Sequence, residues 1–148
     1  MSPTGSLLSM EIREYRESDE ESVVRLWDEC GLVVPWNDPH RDIRRKLRLQ
    51  RELFLVGCLE GKVVATAMVG YEGHRGWINY LAVSPERRGR GLGREMMDEA
   101  EKRLTALGCP KVNLQVRSGN LEAIGFYQKI GYVRDDVVSF GKRLVRDD

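Results

Sequence analysis

The residues best suited to chemistry in this sequence lie in one glycine- and arginine-rich segment, Val83-Ser84-Pro85-Glu86-Arg87-Arg88-Gly89-Arg90-Gly91-Leu92-Gly93-Arg94. An apolar run precedes the segment and a helical pattern follows it, which predicts a tight turn between a strand and a helix. Glycines let the backbone approach a ligand closely, and the unpaired N–H groups that begin a helix attract anions. Four arginines against one glutamate give the segment a local charge of +3. Together these features predict a phosphate-binding loop.

Two familiar phosphate-binding motifs do not fit this loop. The dinucleotide fingerprint G-x-G-x-x-G would need a third glycine at position 94, where Arg94 stands. The P-loop string G-x-x-x-x-G-K-[ST] does not occur anywhere in the chain. The pattern that remains is R-x-x-G-x-G, formed by Arg88, Gly91 and Gly93, shortly after the string L-A-V-x-P. The alternative is a glycine-rich turn whose arginines are only solvated.

A second string, Asn120 to Tyr132, reads N-L-E-A-I-G-F-Y-Q-K-I-G-Y. It predicts a helix from Leu121 to Ile130 that Asn120 caps and Gly131 ends. Tyr127 follows Asn120 by seven residues, about two helical turns, so the two side chains fall on nearly the same face about 10 Å apart. Such a face suits a linear ligand that lies along the helix. The alternatives are an asparagine that only caps and a tyrosine that only packs.

The two strings, in this order and at this separation, resemble the GNAT superfamily of acyl-CoA-dependent N-acetyltransferases. The second string matches the superfamily pattern N-x-x-A-x-x-F-Y-x-K-x-G-[FY]. The strings P-W-N-D-P and G-H-R-G are in addition similar to a small bacterial subgroup, the YpeA-like acetyltransferases. The resemblance covers essentially all of residues 10–148. It implies one N-acetyltransferase domain that uses acetyl-CoA and an amine acceptor of unknown identity.

The resemblance also implies roles for individual residues. The pantetheine arm of the donor would lie, like an added strand, along the backbone of Leu81, Ala82 and Val83, and Asn120 would hydrogen-bond it. Tyr127 would be the catalytic general acid that protonates the departing thiolate. The pyrophosphate would lie on the loop residues Arg88, Gly89, Arg90, Gly91, Leu92 and Gly93. The chemistry is consistent, because a tyrosine with a pKa of about 10 is protonated at pH 7 and a thiol leaving group has a pKa of about 8.5.

The general base stays open, because the predicted strand before the loop, Trp77 to Val83, contains no Asp or Glu. An alkylamine with a pKa of about 10.4 is almost fully protonated at pH 7 and must lose a proton. The candidates are Glu72, Asp38, His40, a water relay or an acceptor of low pKa. Superfamily members bind acceptors between the first two helices and the sheet, so Trp36 and His74 are expected at the acceptor end. The alternative for Trp36 is packing in the core.

Composition describes an ordinary globular protein of 148 residues, with 41% hydrophobic residues, 32% charged residues and a formal net charge of +1. The balanced charge argues against nucleic acid as a partner, and the lack of an apolar run of about 20 residues argues against a membrane. Three distant cysteines, Cys30, Cys58 and Cys109, predict free thiols in the cytoplasm. Two histidines without a C-x-x-C pair predict no metal site. A homodimer is left open.

Periodicity predicts the elements that must position these motifs: strands over residues 11–16, 53–59, 62–71, 77–83 and 112–116, and helices over 18–31, 42–51, 91–107 and 121–130. Ser18 and Glu21 predict a capping box, and the prolines at 35 and 39 predict a loop. A last hairpin is expected from 132–134 and 137–144. The prediction is a single-domain α/β fold with helices on both faces of a mixed sheet. Its first four strands are antiparallel, and the fourth and fifth are parallel.

Two segments carry separate hypotheses. Residues 1–9, rich in Ser, Pro, Thr and Gly, are expected to be a disordered leader or a remnant of cloning before a native start at Met10. Residues 41–51 carry a charge of +5, which indicates either a solvated helix face or attraction of an acidic acceptor or partner. Two other functions therefore stand beside the enzyme. One is a non-catalytic acyl-CoA binding or sensing module, and the other is an adaptor for nucleic acid or acidic partners.

Overall fold

A computed structural model of the chain describes residues 9–148. Within that range the chain forms five strands and four α-helices. The strands are β1 (Glu11–Glu14), β2 (Phe54–Leu59), β3 (Lys62–Tyr71), β4 (Gly76–Val83) and β5 (Val112–Leu114). The helices are α1 (Glu20–Glu29), α2 (Pro39–Lys46), α3 (Leu92–Ala106) and α4 (Leu121–Lys129). The leader expected over residues 1–9 lies, apart from Ser9, outside the described residues.

The five strands form one mixed sheet in the order β1-β2-β3-β4-β5. The first four are antiparallel neighbours, and β4 and β5 are parallel because α3 carries the chain back across the sheet. The predicted α/β architecture is confirmed. Only three residues of β5, Val112–Leu114, pair with Gly76–Ile78 of β4. Within the described chain, the later half of β4 therefore has no strand beside it on that edge.

Helices cover both faces of the sheet because its central strands are apolar on both sides. β2 is buried along its whole length, and its side chains alternate between the faces. Leu55 packs with Met96 of α3, whereas Phe54 packs with Trp27 of α1 and Ile43 of α2. Each fully buried side chain of this size contributes about 1.5–3 kcal/mol. These two cores hold α1 and α2 on one face and α3 on the other, where α4 adds partly buried side chains.

The strand β4 contains a bulge at Tyr80, shortly before the glycine-rich loop. Thr66 pairs with Ala82 but Met68 pairs with Asn79, so one residue of β3 faces two residues of β4. Tyr80 takes a left-handed φ of 50°, which costs a residue other than glycine about 1–3 kcal/mol. The bulge directs the Tyr80 side chain towards α1 and α2, while the next side chain packs towards α3. The pairing of β4 with β5 ends just before this bulge.

Helix α1 begins differently from the prediction. The capping box expected from Ser18 and Glu21 is wrong, since Ser18 lies in a 3-10 turn (Glu17–Asp19) before the helix. The Asp19 carboxylate instead accepts the backbone N–H of Arg16 at 2.8 Å and two hydrogen bonds from the Arg13 guanidinium. A side chain from β1 therefore helps to fix the start of α1, and a local sequence pattern does not contain that contact.

Helix α2 begins at Pro39, three residues earlier than predicted. Proline lacks an N–H and is well tolerated at the first helical position. The Asp38 carboxylate accepts two backbone N–H groups of the first turn, at 2.9 and 3.3 Å. The helix ends at Lys46, and beyond it Gln50 in a left-handed conformation uses its side-chain amide to bind the backbone of Tyr71. The expected extension to residue 51 is therefore wrong.

The C-terminal hairpin expected over 132–134 and 137–144 is also wrong, because residues 132–148 contain no strand. Side chains rather than a backbone ladder attach this segment. Asp135 accepts hydrogen bonds from Lys111 and Asn113. Asp147 accepts hydrogen bonds from Arg41 and Arg45 of α2. Alternating apolar residues form a strand only where a face covers them, and the side chains that suggested one stay exposed, among them Val137, Phe140 and Leu144.

Candidate active site

A groove of about 620 Å³ opens between the end of β4, the glycine-rich loop and α4. It collects nearly all residues that the sequence singled out. They are Leu81, Ala82, Val83, Arg88, Gly89, Gly91, Leu92, Gly93, Asn120 and Tyr127. Arg90 is exposed and does not line the groove. Cys30 and Leu32 also reach the groove, from the end of α1, and no local sequence pattern connects them with β4.

The three loop positions need glycine for two different structural reasons. Gly89 and Gly91 have left-handed φ values of 81° and 80°, and a Cβ at either position would meet no atom within 4 Å. These positions leave open space over the loop and agree with close approach by a ligand. A Cβ on Gly93 would instead lie 3.2 Å from the ring of Phe126. Gly93 is therefore needed for contact between α3 and α4, which the ligand interpretation did not foresee.

The loop end of the groove is positively polarised. The first backbone N–H groups of α3 have no partner within the helix, and the helix dipole adds partial positive charge at this end. Arg87, Arg88 and Arg94 line the groove, and the Arg88 Nε donates a hydrogen bond to the carbonyl of Val83 at 3.4 Å. Backbone donors, a dipole and guanidinium groups therefore converge where a phosphate would lie.

The last residues of β4 form one wall of the groove. Residues 79–83 have no strand partner on the β5 side within the described chain. The carbonyl of Val83 accepts a weak hydrogen bond from the Cys30 thiol, with 3.3 Å between sulfur and oxygen. An unpaired strand edge offers N–H and C=O groups to an extended ligand in the manner of an added strand. Leu81, Ala82 and Val83 line the groove at this unpaired edge, and their pairing with a ligand stays a prediction.

Asn120 caps α4, and its Oδ1 accepts the N–H of Ala123 at 3.1 Å. The capping interpretation is therefore confirmed. The NH₂ group of the same side chain has no hydrogen-bond partner among residues 9–148, and Asn120 lines the groove. Because an amide has separate donor and acceptor ends, it can cap the helix and bind a ligand at the same time.

Tyr127 lies between the core and the groove. Its ring makes edge contacts with Phe126 and Tyr132, with centroid separations of 5.0 and 5.9 Å. The Tyr127 hydroxyl has no hydrogen-bond partner within the described chain, although the residue lines the groove. Burial raises the pKa of Tyr127 to about 12. The phenol therefore keeps its proton at pH 7 and has a free donor to offer.

Helix α2 runs along β4 from the groove towards the β3–β4 hairpin. Near its start, Asp42 accepts a hydrogen bond from Tyr80. Beyond its end, Gln50 binds the backbone of Tyr71, which pairs with Gly76 at the opposite end of β4. Four residues of strand separate these two anchor points, a distance of about 13 Å. The start of α2 and the loop before it therefore lie on the groove side.

Trp36 lies in the loop before α2 and is 47% exposed, so the interpretation that it packs in the core is wrong. The guanidinium carbon of Arg117 lies 5.6 Å from the centre of the Trp36 ring. His74 lies in the β3–β4 turn, at the opposite end of β4 from the groove. The expectation that Trp36 and His74 line one acceptor site is therefore wrong, and only Trp36 lies on the groove side.

The groups predicted as possible bases already have structural partners. Glu72 lies in the distant β3–β4 turn, where backbone hydrogen bonds, chiefly from Arg75, lower its pKa. Asp38 caps α2, and the Nδ1 of His40 lies 2.6 Å from a carboxylate oxygen of Glu20. Glu72 lies nearly the whole length of β4 away from the groove, because it is in the turn at the other end of that strand. Asp38 and His40 lie on the groove side, but each is committed to a contact of its own.

A tyrosine–carboxylate pair that the sequence did not reveal lies at the β4 bulge. The Tyr80 hydroxyl donates a hydrogen bond to Oδ2 of Asp42 at 2.6 Å. The Tyr80 ring stacks on Trp27 with 3.8 Å between ring centroids. Burial, together with the hydrogen bond to Asp42, raises the pKa of Tyr80. Residues so far apart in the chain carry no local signal, and only the bulge directs the tyrosine to α2.

Comparison with known proteins agrees with this fold. The sequence profile of the Acetyltransferase (GNAT) family matches residues 10–132. The chain belongs to this family. GNAT enzymes use acetyl-CoA as the acyl donor, and the predicted superfamily resemblance is confirmed. The finer resemblance to the YpeA-like subgroup stays a prediction.

Three solved structures illustrate the similarity of the GNAT fold. Ard1 from Thermoplasma volcanium is 29% identical, with a TM-score of 0.74 over 85% of this chain and 84% of that chain. Glucosamine-6-phosphate N-acetyltransferase from Arabidopsis thaliana is 22% identical, with a TM-score of 0.69 over 93% and 99%. AAC(6')-Iy, in complex with a CoA-containing bisubstrate analogue, is 17% identical, with a TM-score of 0.75 over 91% and 99%. The latter two show the fold alone.

Three basic residues of α2, which suggested an acidic partner, are paired with carboxylates of this chain, and Lys46 donates a hydrogen bond to the carbonyl of Val69. The ion pairs join Arg41 to Asp38 and Asp147, Arg44 to Glu20, and Arg45 to Asp42 and Asp147. Paired charges attract a partner less than free ones, so the arrangement favours the solvated helix face over the adaptor. In the described part of the chain, no helix is both long and apolar enough to cross a membrane. The same part contains no cluster of three His, Cys, Asp or Glu side chains that could hold a metal ion.

Proposed function

We propose that this GNAT protein transfers an acetyl group from acetyl-CoA to an amine of a small molecule or protein, by direct attack in a ternary complex. One observation carries the proposal. A single groove joins an anion-binding loop, an unpaired strand edge and a tyrosine hydroxyl without a protein partner. These are the three features that a diphosphate, an extended arm and a leaving thiolate need, and they occur in that order along the groove.

The loop end fits the diphosphate of the donor. Gly89 and Gly91 leave open space beside the free N–H groups of α3, and Arg88 adds a fixed positive charge. The backbone of Leu81 to Val83 would pair with the pantetheine amides, and the free NH₂ group of Asn120 would bind the arm from the other side. Arg90 lies outside the groove and would take no part in this site.

The reacting end lies between the β4 bulge and Tyr127. When the amine attacks the thioester carbonyl, negative charge develops on oxygen, and a backbone N–H near Leu81 would stabilise it. Tyr127 would then donate its hydrogen bond to the departing thiolate. A pKa of about 12 makes the phenol a weaker acid than a thiol of pKa about 8.5. Tyr127 therefore stabilises the thiolate mainly as a hydrogen-bond donor and passes on the proton late.

The acceptor would approach from the face of α1 and α2. Trp36 is half exposed on that side, and the Arg117 guanidinium lies against its ring. The aromatic ring would bind the apolar part of an amine. Its position just before α2 would bring it near the end of β4 that no longer pairs with β5. We expect the protein to act in the cytoplasm, because Cys30, Cys58 and Cys109 are free thiols.

The competing function is an acyl-CoA sensor that binds the donor without turnover. The lack of a carboxylate in β4 favours this alternative, and the free hydroxyl of Tyr127 favours the enzyme. A screen of primary amines for thiol release from acetyl-CoA separates the two. The enzyme is expected to release thiol with at least one class of amine and to yield an acetylated product by mass spectrometry. Tight CoA binding without release for any amine would leave the sensor as the function.

A further inference from the structure

The proposed function leaves one step without a residue, which is the removal of a proton from the attacking nitrogen. We propose that Tyr80 and Asp42 perform this step as a pair: the hydroxyl oxygen of Tyr80 accepts the proton while its own proton passes to Asp42. The inference rests on the proposed function, because a proton acceptor is needed only if a nucleophile attacks the thioester. Neither residue was a candidate from the sequence.

The position of Tyr80 relates it to the reacting atoms. Tyr80 directly precedes Leu81, whose backbone N–H would lie near the thioester oxygen. The two side chains point to opposite faces of the sheet, as neighbours in a strand do, Leu81 towards α3 and Tyr80 towards α1 and α2. Under the proposed function the acceptor enters on this α2 side, where Trp36 is exposed. A nucleophile that enters from this side would meet Tyr80, which is next to Leu81 in the chain, and Leu81 lines the groove.

The hydrogen-bond direction makes the Tyr80 oxygen an acceptor for the nucleophile. Its single proton points at Oδ2 of Asp42, 2.6 Å away, so only lone pairs remain for another group. No other hydrogen bond to this hydroxyl occurs within residues 9–148. Asp42 also accepts a hydrogen bond from Arg45 at 3.3 Å, through its other carboxylate oxygen. The carboxylate is thus held in place with Oδ2 directed at the phenol.

The Tyr80 ring is fixed before any ligand binds. It stacks on Trp27, and the Trp27 indole N–H donates to the hydroxyl of the fully buried Thr66 at 2.9 Å. The same Thr66 hydroxyl donates to the backbone carbonyl of Tyr80 at 2.8 Å. These contacts hold Tyr80 in its left-handed conformation, with a φ of 50°. A strained residue held from several sides is typical of functional sites.

The proposed step balances in atoms and charge. The nitrogen lone pair forms the C–N bond, an N–H bond of the attached nitrogen breaks, and that proton binds the phenolic oxygen of Tyr80. The O–H bond of Tyr80 breaks at the same time, and its proton goes to Oδ2 of Asp42. The C–S bond pair leaves with the thiolate, which receives the hydrogen bond and then the proton of Tyr127, and Tyr127 regains a proton from solvent. Asp42 is partly exposed and returns its proton to solvent.

The test uses water and hydroxylamine as nucleophiles, because neither needs an acceptor pocket. Thiol release from saturating acetyl-CoA is measured for the wild-type protein, Tyr80→Phe, Asp42→Asn and the double variant. Each single variant is expected to lower the maximal rate about 10²-fold, the lower end for general acid–base catalysis. The double variant should be no slower than the slower single variant, because the two residues act as a unit. The calorimetric Kd for CoA should stay unchanged.

A matched control comes from a second tyrosine–carboxylate pair. The Tyr132 hydroxyl donates to Glu101 at 2.7 Å, and Glu101 lies on α3, on the opposite face of the sheet from α2. Glu101→Gln removes a comparable carboxylate and should leave the rate unchanged. If Tyr80→Phe does not fold, Asp42→Ala decides alone, and added formate should restore its rate by replacing the missing carboxylate.

Folded Tyr80→Phe and Asp42→Asn proteins with full rates would overturn the proton-acceptor role and leave acetyl transfer intact. The proton-acceptor role would also be overturned if Glu101→Gln lost as much rate, or if formate did not restore Asp42→Ala. In either case the losses of rate would be structural. A wild-type protein that binds CoA but releases thiol with water, hydroxylamine and every amine at the uncatalysed rate would overturn the proposed function itself.

Discussion

Replacement of Tyr127 by Phe tests the proposed reaction most directly, because it removes one oxygen atom from the groove. The ring contacts with Phe126 and Tyr132 remain, since both are edge contacts that a phenylalanine also makes. The lost hydroxyl has no partner within the described chain, so no protein group is left unsatisfied. We therefore expect the melting temperature and the Kd for CoA to change little.

The expected loss of rate follows from the pKa of the phenol. With a pKa of about 12 for Tyr127 and about 8.5 for the thiol, complete proton transfer is uphill by about 3.5 units, or about 5 kcal/mol. The phenol therefore acts mainly through a hydrogen bond to the developing thiolate, and such bonds to charged groups contribute about 1.5–3 kcal/mol. At 1.36 kcal/mol for each factor of ten, Tyr127→Phe should lower kcat by about 10- to 150-fold.

The assay is thiol release from acetyl-CoA with an amine from the screen, run beside Tyr71→Phe as a control. The Tyr71 hydroxyl donates to the carbonyl of Gly73 in the β3–β4 turn, far from the groove. Its removal should leave kcat unchanged. Full turnover by Tyr127→Phe would refute the role of the hydroxyl. A large fall in melting temperature would instead show that the tyrosine holds the helix packing.

Four further predictions follow from the same contacts. Gly91→Val should weaken CoA binding at least tenfold by calorimetry while the protein still folds, because the new side chain enters the open space over the loop and strains its left-handed backbone. Trp36→Ala should raise the acceptor KM with little change in CoA affinity; a failure to fold would show that the ring is structural. Gly125→Ala should stabilise the protein by about 0.5–1 kcal/mol in thermal melts, since a Cβ there meets no atom within 4 Å; a lower melting temperature would mean a contact that the structure lacks. Asp19→Asn should destabilise the protein near neutral pH. Burial alone would raise the pKa of Asp19, but hydrogen bonds, chiefly from Arg13, lower it below 3.8. The ionised Asp19 therefore stabilises the folded state above that pH, and this stabilisation is lost as the pH falls further. Acid titrations monitored by circular dichroism should therefore converge for the wild type and Asp19→Asn at the lowest pH.

The order of the elements and the glycine-rich loop could be predicted because their causes are local. Apolar residues that alternate or recur at helical spacing mark β2, β3 and α3 in the sequence itself, and the structure has these elements within a residue or two. Gly89 and Gly91 require left-handed backbone, which a reader of the sequence can expect. Asn120 and Tyr127 share one helix, so their spacing alone placed them along one groove.

The failed predictions concern contacts between distant parts of the chain. His74 was joined to Trp36 by analogy, but the path of α2 along β4 separates them. The C-terminal hairpin looked like strands by composition, yet Asp135 and Asp147 attach that segment through side chains and leave its apolar residues uncovered. In each case the local pattern of residue types was real. The sequence did not indicate which other part of the chain those residues would pack against.

The sequence by itself determined which groups are available, namely a phosphate loop, a helix with an asparagine and a tyrosine, and no carboxylate in β4. Only the tertiary structure decided which of them meet. Tyr80 approaches Asp42 because a bulge in β4 reverses the direction of one side chain and because α2 begins at that point of the sheet. Periodicity and capping act over one or two turns of chain, whereas a bulge and a helix docking angle arise from the packing of two cores. The proposed proton acceptor therefore depends on packing that no stretch of the sequence displays.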